Sequence, residues 1–379
     1  MRASIIGVGK TRFGPTTYTL VQLLHQAITS ALADAGLEAR DLQAFVVANV
    51  LAGPNNSQLH LNAVVAGLMP GLHLPGWRAE AACASGGVAL HQGLLALNEY
   101  DPVLVVGVEK LTGIPGADLT HNIGMAGDAG LDQAVGLTFP ASYALVAQEH
   151  MRLYGTTVQD LERVALKNHT NARNNPKAHF HQKNVTEADI AQGPVVATPL
   201  RLYDCCPISD GAAAVILSRE PVDNRSAQVL GSAVRTDAIS LVQRETRTSF
   251  SAAVEAAHDA FRQADIGADD VDFAEVHDCF TIAEIIAMED LGLAAPGEAV
   301  ELLRAGETAP GGAIPINVSG GLKAGGHAIG ATGIGQVCEV VKQLRREAGQ
   351  GQIARADIGV THNIGGVGGT AAIHVIGRG

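Results

Sequence analysis

The sequence predicts an α/β protein of two similarly built halves with an inserted loop domain. A long-range internal repeat, an echo of it in a second pair of segments, and chain length carry that prediction. Ala27, Leu32, Leu37, Asp41, Leu42 and Val47 recur as Ala256, Phe261, Ile266, Asp270, Val271 and Val276, each 229 positions later (256 − 27) and without a gap. A glycine-rich turn, a helical pattern and an apolar strand occur at 83–108 and again at 327–360. Structural units that repeat at a fixed separation indicate homologous halves. At 379 residues the chain also exceeds what one hydrophobic core usually fills.

Each element follows from a local pattern. SIIGVG at 4–9 reads as an opening strand, and Leu20 to Ala35 places apolar residues at helical spacing before Gly36, a natural C-cap. A second strand is expected at Ala44–Val50 and a helix from Val88 to Leu97. Residues 117–204 are richer in His, Asn, Gln and Pro and weaker in periodicity, so they read as an inserted loop domain. SDGAAAVILS at 209–218 returns to buried-strand character. The expected division is 1–116 with 205–226 as one half, 117–204 as the loop domain, and 227–379 as the other half. Repeated βαβ units would gather the loops at the strand ends on one face, where chemistry is expected.

Composition narrows the function. A formal charge of −12 with no long basic run argues against sequence-independent nucleic-acid binding, which needs clustered cations. No apolar run is long enough to span a bilayer. The opening MRASIIGVGKTRFG breaks at Gly7 and Gly9 without a small-residue cleavage site, so no signal peptide is expected. Five unevenly spaced cysteines are then expected to be reduced thiols in a cytoplasmic protein.

Four segments hold candidate chemistry. In AACASGG, Cys83 precedes a helical pattern, and the positive end of a helix dipole favours thiolate there. Alone, the segment equally describes a buried cysteine packing as a small hydrophobe. In EVHDCF, an extended backbone would put His277 and Cys279 on the same side, two groups suited to acid–base work. Alone, it more often describes a strand end whose polar groups are satisfied. SGGLKAGGHAIGATG, at 319–333, is glycine-dense around His327 and suits activation of a neighbouring nucleophile, or is only a tight strand-to-helix turn. THNIGGVGG, at 361–369, holds glycines whose N–H groups could face an oxyanion, or is a turn before the last strand.

Other matches fail. Gly9-Lys10-Thr11 lacks the first glycine of a phosphate loop, since Ser4 stands there. His179 and His181 have no metal-spaced partner and read as an exposed polar loop. Packing is the expected role of Cys205 and Cys206, and of Cys338, which keeps helical spacing with Ile334 and Val341.

Together and in order, AACASGG, EVHDCF, NVSGGLKAGGHAIGATG and THNIGG resemble the active-site loops of the thiolase family, and specifically its sterol-carrier-protein type. In that type HDCF replaces an asparagine-bearing loop, and a histidine–asparagine pair replaces a reactive cysteine in the final loop. GVEK, KNHTNARNNP and CCPISDGAAA extend the similarity over nearly the whole chain. The resemblance implies a layered α-β-α-β-α fold whose halves each carry a mixed five-stranded sheet, with a loop domain that helps hold CoA. It implies that Cys83 carries the acyl group, that His327 takes its proton, and that Cys279 exchanges protons with the α-carbon or the CoA thiol. His277 and His327 would bond the thioester oxygen. The N–H groups of Cys83 and Gly365 would form a second oxyanion hole, backed by His362 and Asn363, and Ser319, Gly320 and Gly321 would bind substrate.

CoA enters this scheme as substrate or product, with no other cofactor and no metal. The expected partners are acyl-CoA and CoA, a second copy in a homodimer or dimer of dimers, and a small accessory subunit. The alternatives are a thiolase-fold acyltransferase or retro-aldolase working with such a subunit, and a non-catalytic acyl-CoA-binding scaffold. Ala328 stands where the family commonly has proline, which is expected to loosen His327. The last strand ends next to Gly379, so a fused sterol-carrier domain is not expected.

Overall fold

The computed structural model describes residues 3–379. Its strands are β1 Ala3–Lys10, β2 Ala44–Ala48, β3 Gly76–Ala79, β4 Val103–Glu109, β5 Val195–Ala197, β6 Leu200–Arg201, β7 Gly211–Ser218, β8 Ala227–Thr236, β9 Phe273–Glu275, β10 Ile358–Gly365 and β11 Thr370–Gly377. Nine of them form one ladder in the order β3-β2-β4-β7-β1-β8-β11-β10-β9. β2 runs parallel to β3 and β4, and β9 parallel to β10, while the remaining neighbours are antiparallel.

The repeat read from the sequence is visible in the backbone. The helix Leu20–Ala35, the turn Ala39–Asp41 and β2 correspond to the helix Ser251–Ala264, the turn Ala268–Asp270 and β9. Turn and strand keep the 229-residue offset (268 − 39 and 273 − 44). The first helix ends on Gly36 in the left-handed conformation, as its sequence predicts, and begins with a Thr19–Gln22 capping box that went unnoticed in the sequence. The halves differ at their outer edges, however. β3 has no full counterpart beside β9, where a single parallel bridge from Ala274 to Ile316 takes its place. Pairing of Ala3, Ser4 and Ile5 with Val229, Gln228 and Ala227 joins the halves into one ladder.

Alternation along the strands explains the layers. On β4, Val103 and Val105 face an inner core while Leu104 and Val106 face the core under Leu20–Ala35, and β7 repeats the pattern. Both faces are therefore apolar, as expected of strands covered on two sides. The helices Ser85–Ala96 and Thr332–Leu344 fill the centre, each packed on strands of both halves. Their N-termini meet at glycines, because a Cβ on Gly86 would lie 2.8 Å from the Gly333 nitrogen. That contact brings the Cys83 and His327 turns together.

The insert is more regular than its composition predicts. Residues 117–204 add no strand to the large sheet but hold the helices Phe139–Tyr154 and Val158–Ala172 and the β5–β6 pair. The polar run misleads because Asn168, His169 and Asn171 are buried. Asn168 Nδ2 donates to Asp278 and to Glu284 at 2.7 Å each, so these side chains fasten the insert to the second half. Among the described residues, no helix is long and apolar enough to cross a membrane.

Candidate active site

The Cys83 turn is held in an uncommon shape. Ala82 has φ 48°, a left-handed conformation that disfavours a residue with a Cβ. The Ser85 hydroxyl compensates by accepting from Ala81 N–H at 2.9 Å and donating to Ala82 C=O at 2.6 Å. Cys83 lies two residues ahead of the helix Ser85–Ala96 and keeps part of its surface open. The helix start does not yield a thiolate, because burial pushes the thiol up to about 12. The Gly366 N–H works the other way, and nearby Glu109 adds to the rise. Burial outweighs the helix end, so the resting sulfur is protonated.

Three of the expected catalytic groups converge. The Cys83 sulfur and one ring nitrogen each from His277 and His327 lie within 4.8 Å of one another. The two imidazoles meet edge to face, their centroids 5.2 Å apart. Among the described residues this is also the one cluster with metal-ligand spacing, and Nδ1 of each imidazole is engaged, by Asn363 and by Thr332, which leaves Nε2 as the free nitrogen of each ring.

His327 is poised as a base. Its Nδ1 lies 2.7 Å from the Thr332 hydroxyl, which donates its own proton to Ala328 C=O at 3.1 Å. With the Thr332 proton on Ala328 C=O, Nδ1 is the donor to Thr332, which leaves a lone pair on Nε2. Burial lowers this imidazole to about 4, so it is neutral near pH 7. Its backbone N–H is held by Ser209 at 3.2 Å. Ala328 has φ −80°, a value proline shares, so the backbone before the short turn keeps the conformation that proline would impose.

Cys279 faces the same space. The backbone is not extended there, since Asp278 N–H folds back to Val276 C=O at 3.0 Å. Cys279, Cys83 and His327 nonetheless line one cavity of about 460 Å³, with Tyr143, Phe139, Leu111, Ile329 and Gly366 among its walls. Burial pushes the Cys279 thiol well above its ordinary value, with Cys206 and Cys83 adding to the rise and the Tyr143 hydroxyl opposing it. Tyr143 comes from the insert and donates to Gly366 C=O at 3.1 Å.

The remaining expected residues divide. Asn363 bonds to Cys83 C=O at 2.9 Å and to Gly87 N–H at 3.0 Å. His362 Nδ1 accepts from His277 N–H at 3.3 Å, and burial lowers the ring to about 3. Gly365 packs so tightly on the Cys83 turn that a Cβ would collide with Ala81 C=O. Ser319, Gly320 and Gly321 do not line the cavity. Ser319 is taken by Glu275, at 2.6 Å from its hydroxyl and 3.0 Å from its N–H. The two glycines, in left-handed conformations, make room for Ala172 and for the Asp278 carboxylate. Asp278 in turn accepts from Leu322 and Lys323 N–H, which ties the EVHDCF turn to the short helix Gly321–Gly325.

Two expectations change here. Cys205 and Cys206 are not merely packing, since both line the cavity, and Cys206 N–H donates to Cys279 C=O at 2.9 Å. His179 and His181 are not exposed loop residues either: both are half-buried, with His179 Nδ1 2.9 Å from Ser209 Oγ. Cys338 is buried in the core, as its spacing predicts. Thr332, Ser209, Tyr143 and Asn168 went unnoticed in the sequence. Only Thr332, five residues after His327 at a helix start, carries a local signal.

Comparison with known proteins shows the family. The family model of the thiolase N-terminal domain matches residues 3–221, and that of the thiolase C-terminal domain-like region matches 231–378. The chain belongs to the thiolase family. It is similar to the acetyl-CoA acetyltransferase of Methanothermobacter thermautotrophicus, with 46% identity over 99% of both chains. It is 33% identical to sterol carrier protein 2 of Gallus gallus, covering 96% of this chain and 70% of that one. Among solved structures, the Ltp2-ChsH2(DUF35) aldolase superposes with a TM-score of 0.85 at 24% identity, over 99% of this chain and 97% of that one. The likeness to that structure shows the fold alone.

Proposed function

We propose that this thiolase-family chain is a CoA-dependent acyltransferase that cleaves 3-oxoacyl-CoA with CoA, or runs the reverse condensation, through an acyl group on Cys83. The observation that carries the reading is the meeting of the Cys83 sulfur with the His277 and His327 nitrogens within 4.8 Å, beside a cavity that Cys279 also lines. In cleavage, His327 takes the Cys83 proton as the sulfur bonds to the 3-oxo carbon. The bond between C2 and C3 then breaks, and its electrons pass to C2 and the thioester oxygen. Cys279, protonated at rest, gives its proton to C2 and releases the two-carbon unit on its original CoA, while the shortened acyl group stays on Cys83. The Cys279 thiolate next takes the proton of an incoming CoA thiol, whose sulfur displaces Cys83 from the acyl group. Cys83 leaves as a thiolate and recovers its proton from His327. His277 and His327 face the thioester oxygen, and the N–H groups of Cys83 and Gly365 serve the oxygen on the acyl carbon. Gly366 N–H, which reaches the Cys83 sulfur, belongs to the same turn.

The neutral groups found here suit this order of events. A thiol held above its usual value is an acid for an enolate and not a resting base. The division into 1–116 with 205–226, 117–204 and 227–379 accompanies this reading, since the middle segment supplies Tyr143 and Phe139 to the cavity wall. We further expect a cytoplasmic homodimer, and an accessory subunit is tested by co-purification. Thiolysis of a short 3-oxoacyl-CoA by CoA checks the proposal: the chain should yield two shorter acyl-CoA products. Tight binding of CoA without turnover would favour a scaffold, and cleavage without consumption of CoA would favour a retro-aldolase.

A further inference from the structure

Asn363 touches three parts of the site with one side chain. Its Oδ1 accepts from Gly87 N–H at 3.0 Å. Its Nδ2 carries two protons, one donated to Cys83 C=O at 2.9 Å and the other facing His277 Nδ1 at 3.2 Å. The amide cannot be turned round, because that would set oxygen against the Cys83 oxygen and N–H against the Gly87 N–H. A neutral imidazole has one protonated nitrogen and one acceptor. Facing an N–H at Nδ1, His277 must accept there and hold its proton on Nε2. His277 Nε2 is buried without a hydrogen-bond partner, so that donor is left available.

We propose that Asn363 is a positioning residue that fixes the Nε2–H tautomer of His277, making this imidazole a hydrogen-bond donor and not a second base. The contrast with His327 is direct. There, with the Thr332 hydroxyl donating to Ala328 C=O, Nδ1–H donates to the Thr332 oxygen and Nε2 is the acceptor. Two imidazoles with centroids 5.2 Å apart thus carry opposite tautomers, one able to take the Cys83 proton and one able to meet a developing oxyanion. The inference rests on the thiolase reading for the reaction that this donor serves, but the tautomer follows from the hydrogen bonds alone.

Nitrogen NMR on the full chain labelled with 15N-histidine tests it, with the His277 signals recognised by their loss in His277→Asn. The unmodified protein should show His277 protonated at Nε2 and unprotonated at Nδ1. Asn363→Asp should reverse this, because a carboxylate accepts from Nδ1–H. The same variant should lower kcat for thiolysis on the order of 10²–10³-fold with little change in KM, the loss expected for one oxyanion donor. A wild-type His277 protonated at Nδ1, or a folded Asn363→Asp variant with an unchanged tautomer, would overturn the proposal. If the variant fails to fold, the wild-type spectrum still decides. Absence of an acyl group on Cys83 would count against the thiolase reading and leave the tautomer result standing.

Discussion

The two halves share a backbone plan but differ at one strand end. At the 229-residue offset, Val47-Ala48-Asn49-Val50 at the end of β2 corresponds to Val276-His277-Asp278-Cys279 beyond β9. The polar residue in the middle plays the same architectural part in both. Asn49 caps Ala52 N–H and donates to Glu109, while Asp278 accepts from Leu322, Lys323 and Asn168. The residues on either side differ in chemistry, Ala48 and Val50 against His277 and Cys279. The central helices split in a complementary way: the thiol precedes the helix of the first half and the base precedes that of the second. A repeated fold supplies the framework, and the site arises where the repeat is broken.

Changes to the residues that break the symmetry should have the largest effects. Cys83→Ser should reduce thiolysis on the order of 10⁶-fold, the scale seen when a covalent nucleophile is lost, and steady-state turnover reads it. Cys279→Ala should separate two steps: acylation of Cys83 survives, while carbon–carbon chemistry falls by about 10²–10⁴-fold. Equal loss in acylation and cleavage would remove Cys279 from its proton-transfer role.

Thr332→Val tests whether His327 depends on its partner. The variant should slow acylation by about 10²-fold, the lower range for a general base whose orientation is lost. The pH profile supplies the sign. His327 is lowered to about 4, so it stays unprotonated and competent as pH falls from neutral, and acylation should decline only near pH 4. An acid limb near the ordinary histidine value, measured by rapid pH jump, would contradict the buried neutral imidazole.

Smaller effects belong to the framework. Asn168→Ala removes one buried donor from each of Asp278 and Glu284, which keep Leu322 and Lys323 N–H and Asn317 Nδ2 respectively, and should cost about 1–3 kcal/mol in a denaturant titration. Thr157→Ala removes the cap of Val158–Ala172, where its hydroxyl accepts from Asp160 N–H, and should cost about 1 kcal/mol. If Thr157→Ala were the more damaging, the insert would owe its place to its own helices and not to its polar bond with the second half.

Much of this plan was legible in the sequence because its signals are local or repeated. The helix Leu20–Ala35 shows its periodicity and its C-cap, and the 229-residue offset survives intact. The four loops are legible as motifs, and three of their side chains, Cys83, His277 and His327, meet as expected. What stayed hidden depends on contacts between distant residues. Tyr143 reaches Gly366 across 223 positions and Asn168 reaches Asp278 across 110, with nothing local to mark either. The glycines at 320 and 321 read as a ligand cradle because glycine density signals close approach without naming the partner, here Ala172 and Asp278. The charge state of Cys83 misled for a similar reason: the helix start is visible in the sequence, but the burial that overrides it is not.

The central claim is that a neutral thiol at position 83, deprotonated by His327 on substrate arrival, carries the acyl group. Intact-mass spectrometry after mixing the chain with acetyl-CoA, followed by peptide mapping, tests it most directly. The account predicts one acetyl group per chain, located on Cys83, removed by added CoA and absent in Cys83→Ser. An acetyl group on Cys279, Cys205 or Cys206, or one that persists in Cys83→Ser, would contradict it.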